Sequence, residues 1–320
     1  MTLTQAPRPG RHRSFLDLPL ALDLDNLEAD VAILGVPYGL PYSVQEAVND
    51  QSNAPTAVRQ ASYQLSDGPE RWDFDLDGTL GDLGLRVVDC GDVTADLADP
   101  GLHYRNAEAA VAKILAAGAL PVCIGGDHGI PVLRGFAGQE PFHLVHIDAH
   151  LDWRDEVNGV REGYSSPIRR ASEMPHVDRI WQIGLRGQGS ARCEEVRAAR
   201  AYGSALVTAW ELQEIGMAAV LDRIPDGARY YLTIDADGID PAAMPAVAAP
   251  APGGVTLHQA RQLIQGLARK GRLVGMDIVE ITPARDVNEI TAIAAGRLIV
   301  NLLGAVARSG QAAPGARPTR

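Results

Sequence analysis

Cysteine is scarce in this chain: Cys90, Cys123 and Cys193 are the only three in 320 residues. They are too widely separated for a disulfide framework or a thiolate metal cluster, so a reducing cytoplasm is the expected compartment. Cys90 and Cys123 fall in apolar runs and are expected in the core. Lysine is scarcer still, at Lys113 and Lys270 alone; the remaining basic residues are arginines, scattered rather than clustered. With no basic patch and a net charge of −11, the composition argues against nucleic acid or an anionic membrane as partner and suits a small cation better. The N-terminal segment to Leu27 carries Arg8, Arg11 and Arg13 but no continuous apolar stretch, so neither a signal peptide nor a membrane-spanning helix is expected there. It is expected to wrap the surface or to meet a neighbouring subunit.

No Pro/Ser linker, composition break, internal repeat or nucleotide-phosphate loop divides the chain, and 46% hydrophobic content supports one large core. The expected organisation is an extension over 1–30, a single domain over 31–308 and a disordered tail over 309–320, which is rich in Ala, Gly and Pro. Apolar, β-branched runs recur at 31–36, 85–92, 120–124, 142–147, 179–184, 205–207, 229–234 and 273–279. Helix-period stretches lie between them, clearest at 107–117, 193–202, 257–270 and 288–307. This alternation predicts an α/β fold, a three-layer α/β/α sandwich with a mostly parallel sheet of about eight strands. In such a sheet ligands gather outside the carboxyl ends of the strands.

Three segments stand at such ends: Gly125-Gly126-Asp127-His128, Asp148-Ala149-His150-Leu151-Asp152 and Asp235-Ala236-Asp237. They offer six ligand-type side chains, His128, Asp148, His150, Asp152, Asp235 and Asp237. Residues two apart in a strand share a face, which predicts that Asp148, His150 and Asp152 point one way, as do Asp235 and Asp237. Four crowded carboxylates repel and take up protons unless a cation neutralises them. One divalent ion leaves about two negative charges over by formal count, whereas two ions balance them. Mixed imidazole and carboxylate ligation suits Mn, Ni, Zn or Fe better than Ca or Mg, and Mn or Ni is expected. A lone Asp-x-His or Asp-x-Asp is ordinarily a turn or a cap, and Asp127 and Asp240 are read that way. Three such segments at strand ends, jointly completing a two-metal shell, point to a dinuclear centre.

These segments resemble the three signatures of the ureohydrolases, the family of arginase, agmatinase and guanidinobutyrase. The likeness runs from Val31 to Ala307 and takes in Gly35-Val36-Pro37-Tyr38, Gln182-Ile183-Gly184-Leu185-Arg186 and Asp277-Ile278-Val279-Glu280. It implies the arginase-type sandwich, assembled as trimers or hexamers, and two Mn or Ni ions per subunit. Asp148 and Asp235 would bridge the ions, with His128 and Asp152 completing one shell and His150 and Asp237 the other. The implied reaction is hydrolysis of a guanidino C–N bond to urea and an amine, by water that such ions ionise near neutral pH. Asp152 would accept the proton of that water and pass it to the departing amine. Glu280 would hold the guanidinium by a charge-assisted pair of hydrogen bonds.

The chain also departs from the family pattern. Where many relatives carry His-Gly-Thr-Pro, it has Tyr164-Ser165-Ser166-Pro167, leaving Tyr164 to hydrogen-bond substrate or to pack its ring. Gly129 stands where Ser is common. The loop 39–46, continuing through 49–53, lacks the arginine-bearing pattern of arginases and agmatinases. Trp153 and Tyr164 are expected to supply an aromatic wall, which suits an alkylated or flat cation better than a zwitterion. Three alternatives stay open: an alkylguanidine or a biguanide such as metformin as substrate, releasing an amine; a single-zinc deacetylase, which the extra His and Asp disfavour; and a supporting subunit paired with an active paralogue.

Overall fold

The structure, a computed structural model, describes residues 3–6, 14–46, 49–66, 70–96, 99–129 and 131–311. Its strands are β1 Thr4–Gln5, β2 Val31–Val36, β3 Trp72–Asp73, β4 Gly78–Thr79, β5 Val87–Val93, β6 Leu120–Gly125, β7 Phe142–Ile147, β8 Val177–Leu185, β9 Ala205–Thr208, β10 Arg229–Asp235 and β11 Arg272–Val279. Its helices are α1 Ala54–Ala61, α2 Tyr63–Ser66, α3 Pro100–Ala116, α4 Pro167–Ala171, α5 Cys193–Tyr202, α6 Ala209–Arg223, α7 Leu257–Lys270 and α8 Ile290–Arg308.

Among the described residues, nine strands form one sheet in the order β1-β5-β2-β6-β11-β10-β7-β8-β9, with β3 and β4 as a separate hairpin. Eight of the nine run parallel and correspond to the eight apolar runs of the sequence. The ninth, β1, is a two-residue antiparallel edge on β5, too short to carry a pattern. Alternation along β2 sends Val31 and Ile33 into one core and Ala32 and Leu34 into the other, so both faces of the sheet are covered. Val58 of α1, Leu212 of α6, Leu263 of α7 and Leu298 of α8 close the first face. Ile114 of α3, Ile168 of α4 and Ala199 of α5 close the second. The result is the three-layer sandwich.

Local chemistry explains which helices the sequence announces. In α7 the Thr256 hydroxyl accepts from the Gln259 amide while the Gln259 side chain accepts from the Thr256 amide, a capping box. α5 ends on Gly203 in the left-handed region, φ 96°. α6 is interrupted by Gly216 at φ 76°, which breaks the 3.6-residue period that would have announced it. α8 is apolar and long enough to cross a membrane by composition, yet 78% of that stretch is buried against the sheet and its neighbours, which makes it the core helix. Arg59 of α1 is fully buried; it bonds both oxygens of Asp89, at 2.8 and 3.0 Å, and Asp92 at 2.5 Å, pinning the helix to β5.

The N-terminal segment enters the core rather than only wrapping it, for Phe15 is buried and its amide donates to Asp89 at 2.8 Å. Of the expected disordered tail, Gln311 bonds Leu273, Ala268 and Gly271; residues 312–320 lie outside the described residues. The site is positioned by the centre of the sheet. The chain leaves β6 and returns at β7, three positions along the sheet, and β11 and β10 later fill the gap. From β6 and from β7 the order then runs outward in opposite directions, the condition for a crevice at the carboxyl ends.

Candidate metal centre

Each expected donor lies at the end of one of these four adjacent strands. His128 follows β6 through Gly126, where a Cβ would sit 2.1 Å from the Pro37 carbonyl oxygen, so only glycine lets the chain turn there. Asp148, His150 and Asp152 follow β7, Asp235 ends β10, Asp237 lies two residues on, and Glu280 follows β11.

The expected sharing of a strand face is not what brings these residues together. β7 stops at Ile147, so Asp148–Asp152 is not a strand. Two aspartate turns do the gathering instead: Asp148 Oδ1 accepts from the His150 amide at 2.6 Å and Asp235 Oδ1 from the Asp237 amide at 2.8 Å. Asp152 and Glu280 both adopt the left-handed backbone, φ 50° and 66°. That conformation is costly for residues with a Cβ and concentrates at functional sites.

His128 Nδ1 lies 3.1 Å from Asp152 Oδ2, 3.4 Å from Asp235 Oδ2 and 3.6 Å from Asp148 Oδ2. His150 Nδ1 lies 3.4 Å from Asp148 Oδ1 and 3.2 Å from Asp237 Oδ2. Asp148 thus belongs to two donor groups, one with His128 and Asp152 and one with His150 and Asp237. His128 Nδ1 and Asp148 Oδ2 are fully buried and have no hydrogen-bond partner among the described residues, which is costly unless a cation takes the place of one.

The tautomer of His128 follows from its surroundings. Thr233 donates its hydroxyl proton to Asp277 Oδ1 at 2.6 Å, so its oxygen accepts from His128 Nε2 at 3.1 Å. With its proton on Nε2, neutral His128 turns the Nδ1 lone pair toward the carboxylates. These donors fit divalent cations.

Electrostatically the donors are at odds with one another. Burial, then Asp237 and Asp148, push Asp235 well above the carboxylate range, and burial followed by Asp148 raises Asp152. Burial works against charge on His128, but Asp148, Asp152 and Asp235 overcome it and hold that imidazole well above its ordinary range. His150 is drawn up to about 11 by Asp148 and Asp237. Like charges sharing a dry crevice in this way are relieved by cations.

Glu280 is buried, with Oε1 accepting from the His128 amide at 2.7 Å and Oε2 from Gln51 Nε2 at 3.3 Å. Burial and then Asp127 push it up to about 8. Trp153 requires a correction. It is buried on the α5 side, its ring 5.6 Å from that of Tyr202, and the left-handed turn at Asp152 directs it into the core instead of the crevice. Tyr164 has a different aromatic partner, Tyr42, with ring centres 4.6 Å apart.

Several contributors have no role assigned from the sequence. His146 Nε2 lies 2.7 Å from Asp148 Oδ2 without the alignment of a hydrogen bond, and its Nδ1 faces the Gln182 side-chain amide at 3.3 Å. Its place two residues before Asp148 was a usable signal. Asp277 and Thr233 orient His128. Arg186 reaches the carbonyls of Asp237, Gly238 and Ala251, tying down the Asp237 turn. Tyr42 and Gln51 come from a loop that carries no motif. Asp240 is structural as read, accepting from the amides of Ala242, Gly253 and Gly254.

Comparison with known proteins agrees with this geometry. A sequence profile described as "Arginase family" matches residues 29–304. A guanidinopropionase from Pseudomonas aeruginosa is 35% identical, over 95% of this chain and 95% of its own length. An agmatinase from Edwardsiella ictaluri is 33% identical, over 90% of this chain and 92% of its own. Among solved structures, proclavaminate amidino hydrolase from Streptomyces clavuligerus superposes with a TM-score of 0.81 at 28% identity, covering 97% of this chain and 99% of that one.

Proposed function

The chain belongs to the arginase family, metal-dependent hydrolases of C–N bonds in guanidino compounds, and from that premise we propose that it converts a small cationic guanidine to urea and an amine. The observation that supports this most is the convergence of six His and Asp donors and Glu280 on the ends of β6, β11, β10 and β7, with His128 Nδ1 and Asp148 Oδ2 buried and unpartnered. His128, Asp148, His150, Asp152, Asp235 and Asp237 would hold two divalent ions, Mn or Ni, with Asp148 and Asp235 shared. Such ions supply a water that ionises near neutral pH.

The protein's own side chains do the rest. Glu280, fixed at both oxygens by the His128 amide and Gln51, binds the guanidinium N–H pair and holds its carbon at attacking distance. Asp152 presents Oδ2 to His128 and keeps Oδ1 for proton transfer. It takes the proton as the water oxygen bonds to carbon, and returns it to the nitrogen whose bond to carbon breaks. The phenol of Tyr164, pushed up to about 12 by burial and then by Glu46, stays protonated at neutral pH and is no substitute for the missing histidine as a shuttle.

A second reading, an alkylguanidine or biguanide losing an amine, is favoured by the Tyr42–Tyr164 pair. A cytoplasmic setting is supported by three unpaired cysteines, two of them buried. Assembly as a trimer or hexamer would cover the exposed side chains of Trp72, Phe74 and Trp210. The deciding experiment is metal analysis followed by arginine, agmatine, 4-guanidinobutyrate, guanidine, methylguanidines and metformin, with urea and amine measured. Two metal equivalents per subunit and urea from one of these compounds is the expected result. A single zinc with amide hydrolysis would replace this reading by the deacetylase. Turnover only after adding a paralogous chain would make this one a supporting subunit.

A further inference from the structure

Above Glu280, the mouth of the crevice is closed by two loops that meet through Tyr42. The hydroxyl of Tyr42 accepts from the Ser165 amide at 2.8 Å, its own amide donates to Glu46 Oε2 at 3.1 Å, and its ring stacks on Tyr164 at a 55° tilt. This approach depends on missing side chains. A Cβ on Gly163 would lie 2.1 Å from the Tyr42 ring, one on Gly39 would lie 1.7 Å from Asp127 Oδ1, and one on Gly129 would lie 3.2 Å from the Tyr164 amide. Gly163 admits the Tyr42 ring, and Gly39 and Gly129 let their segments approach Asp127, while Tyr164 keeps a partly exposed face.

The charge lining this mouth has one sign. After burial, the acids Glu46, Glu280 and Asp127 are the charged groups acting most on Tyr164. Residues 37–53 contain no Lys or Arg. The arginines of the facing loop are engaged elsewhere, Arg154 with Glu195 and Arg161 with Asp155. A carboxylate brought here would lose its water beside Glu46 and find no counter-cation among the described residues, whereas an ammonium or alkyl group would meet aromatic faces and an acid.

We infer that Tyr42, Tyr164 and Glu46 form a distal subsite that selects guanidines with an apolar or cationic far end and rejects those ending in a carboxylate. The inference deepens the proposed function and rests on Glu280 as the guanidinium anchor. Tyr42 and Glu46 build the wall, and Tyr164 presents its face to the tail.

The test measures kcat and KM of the metal-loaded chain on guanidine, butylguanidine, agmatine and 4-guanidinobutyrate. The wild-type chain should favour butylguanidine and agmatine over 4-guanidinobutyrate by about tenfold or more. Glu46→Gln, which keeps an acceptor for the Tyr42 amide, should narrow the agmatine to 4-guanidinobutyrate ratio about tenfold, mainly through KM. Tyr164→Ala should raise KM for butylguanidine, and Tyr164→Phe should restore it. A wild-type preference for 4-guanidinobutyrate, or an unchanged ratio in Glu46→Gln, overturns the inference alone. If none of the four compounds is hydrolysed, the functional reading falls and the subsite falls with it.

Discussion

The floor of the crevice hangs on four hydrogen-bonded neighbours, β6, β11, β10 and β7, whereas its mouth is assembled from loops 37–53 and 153–165 that touch through side chains. At the floor, each donor follows a strand whose neighbours set its position, and two aspartate turns and an Asp277–Thr233–His128 relay set its direction. At the mouth, position depends on Gly163 leaving room for the Tyr42 ring and on Gly39 and Gly129 leaving room for Asp127. The comparison separates what the reaction needs from what substrate choice needs. A floor fixed by a sheet can serve many guanidines, and a loop-built mouth can change without disturbing it.

Perturbing the floor should have the largest effects. Asp148→Asn removes the carboxylate shared by both donor groups and is expected to abolish turnover and lose both metal equivalents. Full metal content by plasma mass spectrometry would show that Asp148 is not shared. Next is Glu280→Ala, expected to retain its metal while kcat/KM falls by about 100-fold or more, because the guanidinium is no longer oriented. Activity close to wild type would refute the anchoring role.

A smaller effect is expected one layer further out. Thr233→Val deprives His128 Nε2–H of its acceptor and should weaken metal affinity by roughly 10- to 100-fold in a chelator competition, with the fold intact. Unaltered affinity would mean that backbone geometry alone aims the imidazole.

The mildest prediction concerns the start of the mouth. His103 of α3 accepts from the Tyr38 amide at Nε2 and donates from Nδ1 to the Thr94 carbonyl, and burial lowers its pKa from 6.5 to about 4. The folded state therefore disfavours the proton that the unfolded chain binds. The stability associated with neutral His103 is fully present above pH 6.5 and lost as pH falls toward 4, at most about 3 kcal/mol. Urea midpoints of wild type and His103→Gln across this window should converge on the acid side, and parallel curves would exclude His103 as the source.

Much of the floor could be read directly. The eight apolar runs became eight parallel strands, and His128, Asp148, His150, Asp152, Asp235, Asp237 and Glu280 all lie at the ends of four of them, since residues that directly follow a strand inherit its place in the sheet. His146 escaped notice because a histidine inside an apolar run is ordinarily core, and Thr233 and Asp277 because an alternating strand position does not say which neighbour it faces. The mouth was read least well. Trp153 looked like a wall residue by its nearness to Asp152, and one left-handed residue sent it into the core.

The amino-acid order by itself determined the alternation of strands and helices and the placing of six His and Asp side chains at strand ends, because these depend on contacts within a few residues. Only the tertiary structure decided which strands became neighbours, which His128 nitrogen faces the carboxylates, and that Tyr42 rather than Trp153 stacks on Tyr164. Those outcomes depend on groups far apart in the chain competing for the same space and the same hydrogen bonds, and no local pattern records who wins.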